Sequence, residues 1–191
     1  MDKTNTKEAL IASTMELLWE RGYVGMSPKA ILKHSGVGQG SMYHHFSGKA
    51  ELAREAIERS AGELLEQAQR QLAAPGTALD KIGAFLERER DVLRGCRIGR
   101  LAQDPDISAA DTLRQPLAAA FDGLRRLLAG VLAEGVARGE LRAALDVEAS
   151  AELILATLQG GYVLARAANS AQPFESAVRG LQALLQATAR D

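Results

Sequence analysis

Apolar residues recur along this chain at three- and four-residue spacing, the period of an α-helix with one buried face. In KEALIASTMELLWER, residues 7–21, Ile11, Met15, Leu18 and Trp19 share one face, and Glu8, Glu16 and Glu20 lie off it. Gly22 ends this helix. Ser27 followed by Pro28 is a start signal, Ser as N-cap and Pro in the first helical position, and the helix it opens runs to Ser35 with Gly36 as its stop. Gly36-Val37-Gly38 is a very short connector to a second short helix from Gln39 to Phe46. Ser47 can cap a long helix from Lys49 to Leu72 that carries Leu52, Ile57, Leu64 and Leu65. Pro75 ends that stretch, because the residue before a proline is steered away from helix.

The remainder reads as helix with clear punctuation. One helix is expected over residues 77–93, with Leu79, Ile82, Phe85 and Leu86 on its apolar side. Gly95 and Cys96 interrupt, a short helical piece covers 98–103, and Asp104-Pro105-Asp106 reads as a turn. A long helix is expected over 108–137, a helix end and turn at RGELR (138–142), and closing helices over 147–168 and 174–189. The fold class is therefore all-α, with about nine helices. A three-helix unit over residues 1–50 precedes a larger helical bundle over 51–191.

Composition agrees: apolar residues make up 47% of the chain and aromatics only 4%, so the core is built mainly from Ala and Leu, which favour helix. The net charge of −1 conceals an asymmetry. Between Arg21 and Lys49 stand four basic residues (Arg21, Lys29, Lys33, Lys49), all three histidines and no Asp or Glu. The remaining 19 Lys and Arg face 24 Asp and Glu, a net of −5. A local basic segment on an otherwise acidic chain is the footprint of a polyanion partner. The single cysteine, Cys96, permits no internal disulfide and fits a reducing compartment. There is no leader-like apolar segment and no run of roughly 18 apolar residues, so no membrane association and a cytoplasmic location are expected.

Two helices joined by about three residues containing glycine form the DNA-reading helix-turn-helix. Ile31, Val37, Met42 and Phe46 would pack inward, leaving Gln39, Gly40, Ser41, Tyr43 and His44, with His45 at the edge, to face outward. A Tyr and a His beside a Gln make a poor core and a good groove-reading face. His44 and His45 are poor joint metal ligands, since adjacent helical positions point about 100° apart, and no metal is expected.

SPKAILKHSGVGQGSMYHHFSGKAEL resembles the DNA-binding domain of the TetR family of regulators, in which a helix ending in Gly-Val leads to a Leu/Met-Tyr-His-aromatic-Phe recognition helix and a Lys opens the next helix. The likeness covers residues 7–60; RGELR and LQGGYVLAR match the family's ligand domain more loosely, and GCRIGRLAQD is similar to the branch containing the LmrA and YxaF regulators. Leu32 departs from a usual Ala, and His45 from a usual Tyr or Phe. The resemblance implies a DNA-binding repressor that sits on a palindromic operator as a homodimer and is released by a small-molecule effector. Lys49 and Ser27 would contact phosphates, Tyr43 a phosphate oxygen through its hydroxyl or a thymine methyl through its ring, and Gln39 and His44 base edges; Gly40 and Ser41 would allow close approach, and Lys29, with Lys33, would add general attraction.

The last two helices are the expected dimer surface, through Ile154, Leu158, Gly161, Ala165, Val178, Leu181 and Leu185. An effector pocket would draw on Phe85, Cys96, Leu101, Phe121, Leu124 and Tyr162, with Arg97 or Arg100 near its mouth. Positive charge near Cys96 also raises the idea of a reactive thiol. No phosphate loop, HExxH or nucleophile–base motif is present, so neither an enzyme nor a cofactor is expected. The competing reading is a dimeric helical scaffold that ignores DNA, and it leaves the acid-free stretch unexplained.

Overall fold

Helix formation follows the apolar stripes closely. The computed structural model describes residues 3–190. The first helix, α1 (Lys3–Arg21), buries Leu10, Ile11, Met15, Leu17 and Leu18 and half-buries Trp19. Helices α2 (Pro28–Ser35), α3 (Gln39–His45) and α4 (Lys49–Leu72) follow within a residue of the expected limits. Then come α5 (Ala78–Glu87), α6 (Pro105–Ala109), α7 (Asp111–Ala137), α8 (Val147–Ala168) and α9 (Gln172–Gln186). A single 3-10 turn spans Leu101–Gln103. Among the described residues there are nine α-helices, and the only extended pairing is an isolated bridge between Leu141 and Ala189. No helix of the described residues is long and apolar enough to cross a membrane.

Two expectations fail for local reasons. The helix expected over 77–93 stops at Glu87. Arg90 folds back, and its guanidinium donates to the carbonyls of Phe85, Leu86 and Arg88, taking over the role that further helical N–H groups would have played. Asp104-Pro105-Asp106 is not a turn but the start of α6. Asp104 accepts from the Asp106 N–H as N-cap, with Pro105 in the first position, the same device as Ser27-Pro28.

Packing divides the chain into two units, residues 1–63 with 97–120, and residues 64–96 with 121–191. The division falls inside α4 and inside α7 and differs from the 50/51 boundary drawn from charge.

In the first unit α1 packs on α2 and α3. Segment 97–109 is fastened to the end of α1 and the residues just after it through Arg97, Arg100 and Asp104. Arg97 pairs with Glu16 at 2.9 Å and lies 4.2 Å from the Trp19 ring centroid. Arg100 donates to the Trp19 and Glu20 carbonyls at 2.5 and 2.7 Å, capping the C-terminus of α1 with positive charge. Asp104 Oδ2 accepts from the Tyr23 and Val24 N–H groups at 2.7 and 3.1 Å. Asp104→Ala removes this acceptor and the α6 cap together. Urea denaturation is expected to show a loss of about 1–3 kcal/mol, with Asp104→Asn retaining part of it.

The second unit is built around Phe85, Leu128, Leu132, Ile154, Phe174 and Leu181, with α9 packed on α8 and on α5. Thr77 opens α5 with a reciprocal capping box to Asp80.

Candidate nucleic-acid interface

The turn between α2 and α3 depends on Gly36, which ends α2 at φ 67° and ψ 13°, a left-handed conformation that glycine adopts without steric cost. Its N–H closes α2 on the Leu32 carbonyl. Ile31, Met42, Phe46 and Val37 are all buried, as the inner-face reading requires. Met42 and Phe46 lie one helical turn apart and anchor one side of α3, so the other side must face out.

That outer side is the expected one. Gln39, Gly40, Ser41, Tyr43 and His44 are exposed, Tyr43 at 51%, and His45 is half-buried with its ring 5.1 Å from His44 and 6.4 Å from Phe46. A large aromatic left half in water at the centre of a short helix is uncompensated hydrophobic surface unless something covers it. Lys29 and Ser27 are exposed on the α2 side. The Ser27 oxygen already accepts from the Ala30 N–H at 3.2 Å, which leaves its hydroxyl hydrogen available to donate.

Lys49 opens α4 and is half-buried, with its ammonium 3.9 Å from the Tyr23 ring centroid. The ring holds the charge near the end of α4, where the first N–H groups have no intrahelical acceptor. Burial, and then the carboxylates of Asp106 and Asp104, hold the Tyr23 phenol above its ordinary pKa, so the ring stays neutral. Ser47 does not cap α4 through its oxygen. Its N–H and hydroxyl both donate to the Glu51 carboxylate at 2.7 Å, which ties the residue before the Gly48 N-cap to the first turn of α4. Those two donors hold Glu51 below its ordinary pKa.

Known proteins share this arrangement. The profile described as "Bacterial regulatory proteins, tetR family" matches residues 10–56, and "Tetracyclin repressor-like, C-terminal domain" matches residues 77–181, more than half of the chain.

The chain belongs to the TetR family.

It is a DNA-binding transcriptional regulator with an N-terminal helix-turn-helix and a helical C-terminal domain. A TetR transcriptional regulator from Chloroflexus aurantiacus superposes with a TM-score of 0.89 at 30% identity, over 98% of each chain. The transcriptional repressor NemR of Escherichia coli K12 is 25% identical over 91% of this chain and 90% of its own. The TetR-family regulator CifR, as a cysteine mutant complexed with 26 bp operator DNA, gives a TM-score of 0.77 at 25% identity, over 92% of this chain and 94% of its own.

Within this TetR-family chain the residues expected to bind an effector do not all fall in one unit. Phe85, Leu124 and Tyr162 are buried in the core of the second unit, and Phe121 and Cys96 are half-buried against it; Cys96 is in no disulfide. Arg97 and Leu101 belong to the first unit, where Arg97 is engaged by Glu16 and Trp19 and Leu101 is buried. What sequence reasoning missed is the cation beside them. Arg90 lies 5.7 Å from the Phe85 ring centroid and 5.8 Å from that of Phe174, and the Tyr162 phenol is near enough to act on its charge. Burial pushes its pKa down to about 10, so it keeps its charge at neutral pH, and burial likewise raises the Tyr162 phenol. In sequence the run Glu87-Arg88-Glu89-Arg90 looks like a solvated helix face.

The seven residues expected at the dimer surface need correction. Ile154, Leu158, Gly161, Ala165, Val178, Leu181 and Leu185 are all buried inside their own chain. A Cβ on Gly161 would lie 2.9 Å from the Phe174 ring, so this glycine serves the approach of α9 to α8. The large apolar residues exposed on the same helices are Leu153, Val163 and Leu164 on α8 and Leu184 on α9, at 47–65%.

Proposed function

We infer that this regulator is a repressor that binds a palindromic operator as a homodimer and is released when a small molecule occupies its larger domain. Residues 1–50 read the DNA, and residues 51–191 carry effector binding and dimerisation. The observation that carries the reading is the outer face of α3, where Tyr43 stands exposed in a segment free of acidic residues. Tyr43, Lys49 and Ser27 hold phosphates, Lys29 adds attraction, and Gln39 and His44 reach base edges. The protein performs no catalysis and acts in the cytoplasm, as a regulator of genes must.

A single helix-turn-helix touches few base pairs, so two copies must present theirs one helical turn apart or a multiple of it. The surface that joins them is the exposed apolar face of α8 and α9. Leu153, Ala156, Gly160, Val163 or Leu164, and Ala167 recur at three- and four-residue spacing on α8, all exposed; Gly180 with Ala183 or Leu184 does so on α9, and Ala187, also exposed, follows at its C-terminal cap. A Cβ on Gly160 or Gly180 would meet nothing within 4 Å, so neither glycine serves its own chain's packing, and both leave room for another helix. Effector release is a linkage: a ligand that prefers the conformation with the wrong spacing weakens DNA binding by its differential affinity for the two states.

The test is fluorescence anisotropy against duplexes from upstream of the protein's own gene, with a scrambled duplex as control and salt titrated. Tight, salt-dependent and sequence-dependent binding is expected. Absence of binding to any duplex at low salt would overturn the reading.

Gly40 gives a sharper check. It sits in the first turn of α3, and a Cβ added to it would meet nothing within 4 Å. Gly40→Ala is therefore expected to raise stability by about 0.5–1 kcal/mol while lowering operator affinity, because the added methyl occupies the space the duplex needs. Thermal melting and anisotropy on the same sample read both effects. A variant that is stabilised with full operator affinity would remove Gly40 from the interface.

A further inference from the structure

We propose that Asp104 is a positioning residue for operator binding: by tying down residues 22–24 it seats the Tyr23 ring beside the Lys49 ammonium and so holds that cation ready for a phosphate. The proposal rests on the phosphate role given to Lys49 above and adds the residue that governs it.

The two oxygens of the Asp104 carboxylate have separate partners. Oδ1 accepts from the Asp106 N–H at 3.1 Å and caps α6. Oδ2 accepts from the Tyr23 N–H at 2.7 Å and the Val24 N–H at 3.1 Å, two donors just past the end of α1. Gly22 makes that approach possible. It has a φ of +73°, and a Cβ there would lie 3.0 Å from Asp104 Oδ2, so a side chain at this position would crowd the carboxylate. With the backbone of residues 23–24 held at both N–H groups, the Tyr23 side chain starts from a fixed point.

That ring is what orders the cation. Its centroid lies 3.9 Å from Lys49 Nζ, and among the described residues Lys49 has no carboxylate within ion-pair distance. An ammonium on a long flexible stem loses rotamer freedom when it grips a phosphate. An aromatic face that already holds the ammonium reduces that loss and leaves its N–H groups free for an acceptor from outside. Asp104 stands 81 residues beyond Tyr23, well outside the helix-turn-helix, and packing places its segment, residues 97–120, in the first unit with residues 1–63. Arg97 and Arg100 of the same segment bind α1 itself, at Glu16 and at the Trp19 and Glu20 carbonyls. Asp104 is the member of this group whose contact leads on to the DNA face.

Positioning and simple charge predict opposite results. An anion near the duplex repels it, so by charge alone both Asp104→Ala and Asp104→Asn would tighten binding. Positioning predicts that Asp104→Ala weakens it, while Asp104→Asn, which keeps an oxygen for the two N–H groups, retains most of the affinity.

The test is a double-mutant cycle on the full-length protein. Asp104→Ala, Asp104→Asn, Lys49→Ala and Asp104→Ala/Lys49→Ala are titrated by anisotropy, at several salt concentrations, against the upstream duplex that the unmodified protein binds. Circular dichroism confirms that each variant is folded at the assay temperature, and stoichiometric titration gives its active fraction. Asp104→Ala is expected to weaken binding by about three- to tenfold, the worth of an ordered cation–ring contact. It should also lower the salt slope by part of the decrement of about one that Lys49→Ala produces. In the Lys49→Ala background the same change should alter affinity by less than about twofold, because the cation it positions is gone. Tyr23→Leu should add little to Asp104→Ala, since both act on that cation.

An equal loss with and without Lys49 would make Asp104 a purely structural residue and overturn the proposal. Full or tighter binding by folded Asp104→Ala, beside a weakened Lys49→Ala, would likewise remove the positioning role while keeping Lys49 at its phosphate. Full affinity and an unchanged salt slope in Lys49→Ala would instead overturn the phosphate role of Lys49, and the proposal with it.

Discussion

Replacing Leu164 and Leu184 together by glutamate is expected to convert the protein from dimer to monomer and to lower its affinity for a duplex carrying both half-sites by about 10²- to 10⁴-fold, the advantage that linking two recognition units confers. Both leucines are more than half exposed in the single chain, at 56% and 65%, so the change leaves the chain's own core intact. The stripe they belong to, with Gly160 and Gly180 beside them, is apolar and closely approachable, and a charge set there is desolvated without a partner when two copies meet. Analytical ultracentrifugation reads the assembly and anisotropy the affinity, while melting reports the fold. Leu158→Glu is the contrasting variant. Leu158 is 4% exposed, so the same substitution there is expected to unfold the second unit rather than separate two folded copies. A Leu164→Glu/Leu184→Glu protein that remained dimeric would move the interface away from this face.

The second large effect concerns the DNA face itself. Tyr43→Ala combined with Lys49→Ala is expected to weaken operator binding by about a hundredfold or more, since a hydrogen bond to a charged phosphate is worth about 1.5–3 kcal/mol and each 1.4 kcal/mol is tenfold. The two substitutions should differ in character. Lys49→Ala removes one phosphate-facing charge, so it should weaken binding to every sequence alike and reduce the salt slope by about one. Tyr43→Ala removes an exposed ring that carries no charge, so it should leave the salt slope unchanged while lowering affinity. Anisotropy titrations at several salt concentrations, on operator and scrambled duplexes, separate these outcomes. Lys49 also leans on the Tyr23 ring, and Tyr23→Leu, which keeps bulk and loses the π face, should reproduce part of the Lys49→Ala loss without touching a phosphate contact. Full operator affinity in the double variant would take both residues out of the interface.

The helix-turn-helix is legible in the sequence because its signals are local. Ser27-Pro28, Gly36 and the spacing of Ile31, Val37, Met42 and Phe46 act over a few residues each, and burying Met42 and Phe46 leaves Tyr43 and His44 no direction but outward. The order and approximate limits of the helices follow for the same reason, since the period of an apolar stripe is a property of the segment that carries it.

The face that α8 and α9 leave open is not legible there, because an apolar stripe states that a helix side avoids water and does not state what covers it. On α8, Ile154, Leu158 and Ala165 form one stripe and Leu153, Gly160 and Leu164 another; only the packing of α9 on α8 decides which is already covered. Arg88 and Arg90 are hidden in the same way. In the sequence they are two charges in an alternating run, which is normally a solvated surface. The early end of α5 turns Arg90 inward beside Phe85, Phe174 and Tyr162 and leaves Arg88 Nε buried without an acceptor. The chain's own residues thus determined which segments are helical and which end faces DNA. Which apolar face stays open and which cations are drawn inward was decided by contacts between segments up to 95 residues apart, such as Glu87 with Gln182, and no pattern within one segment can encode such contacts.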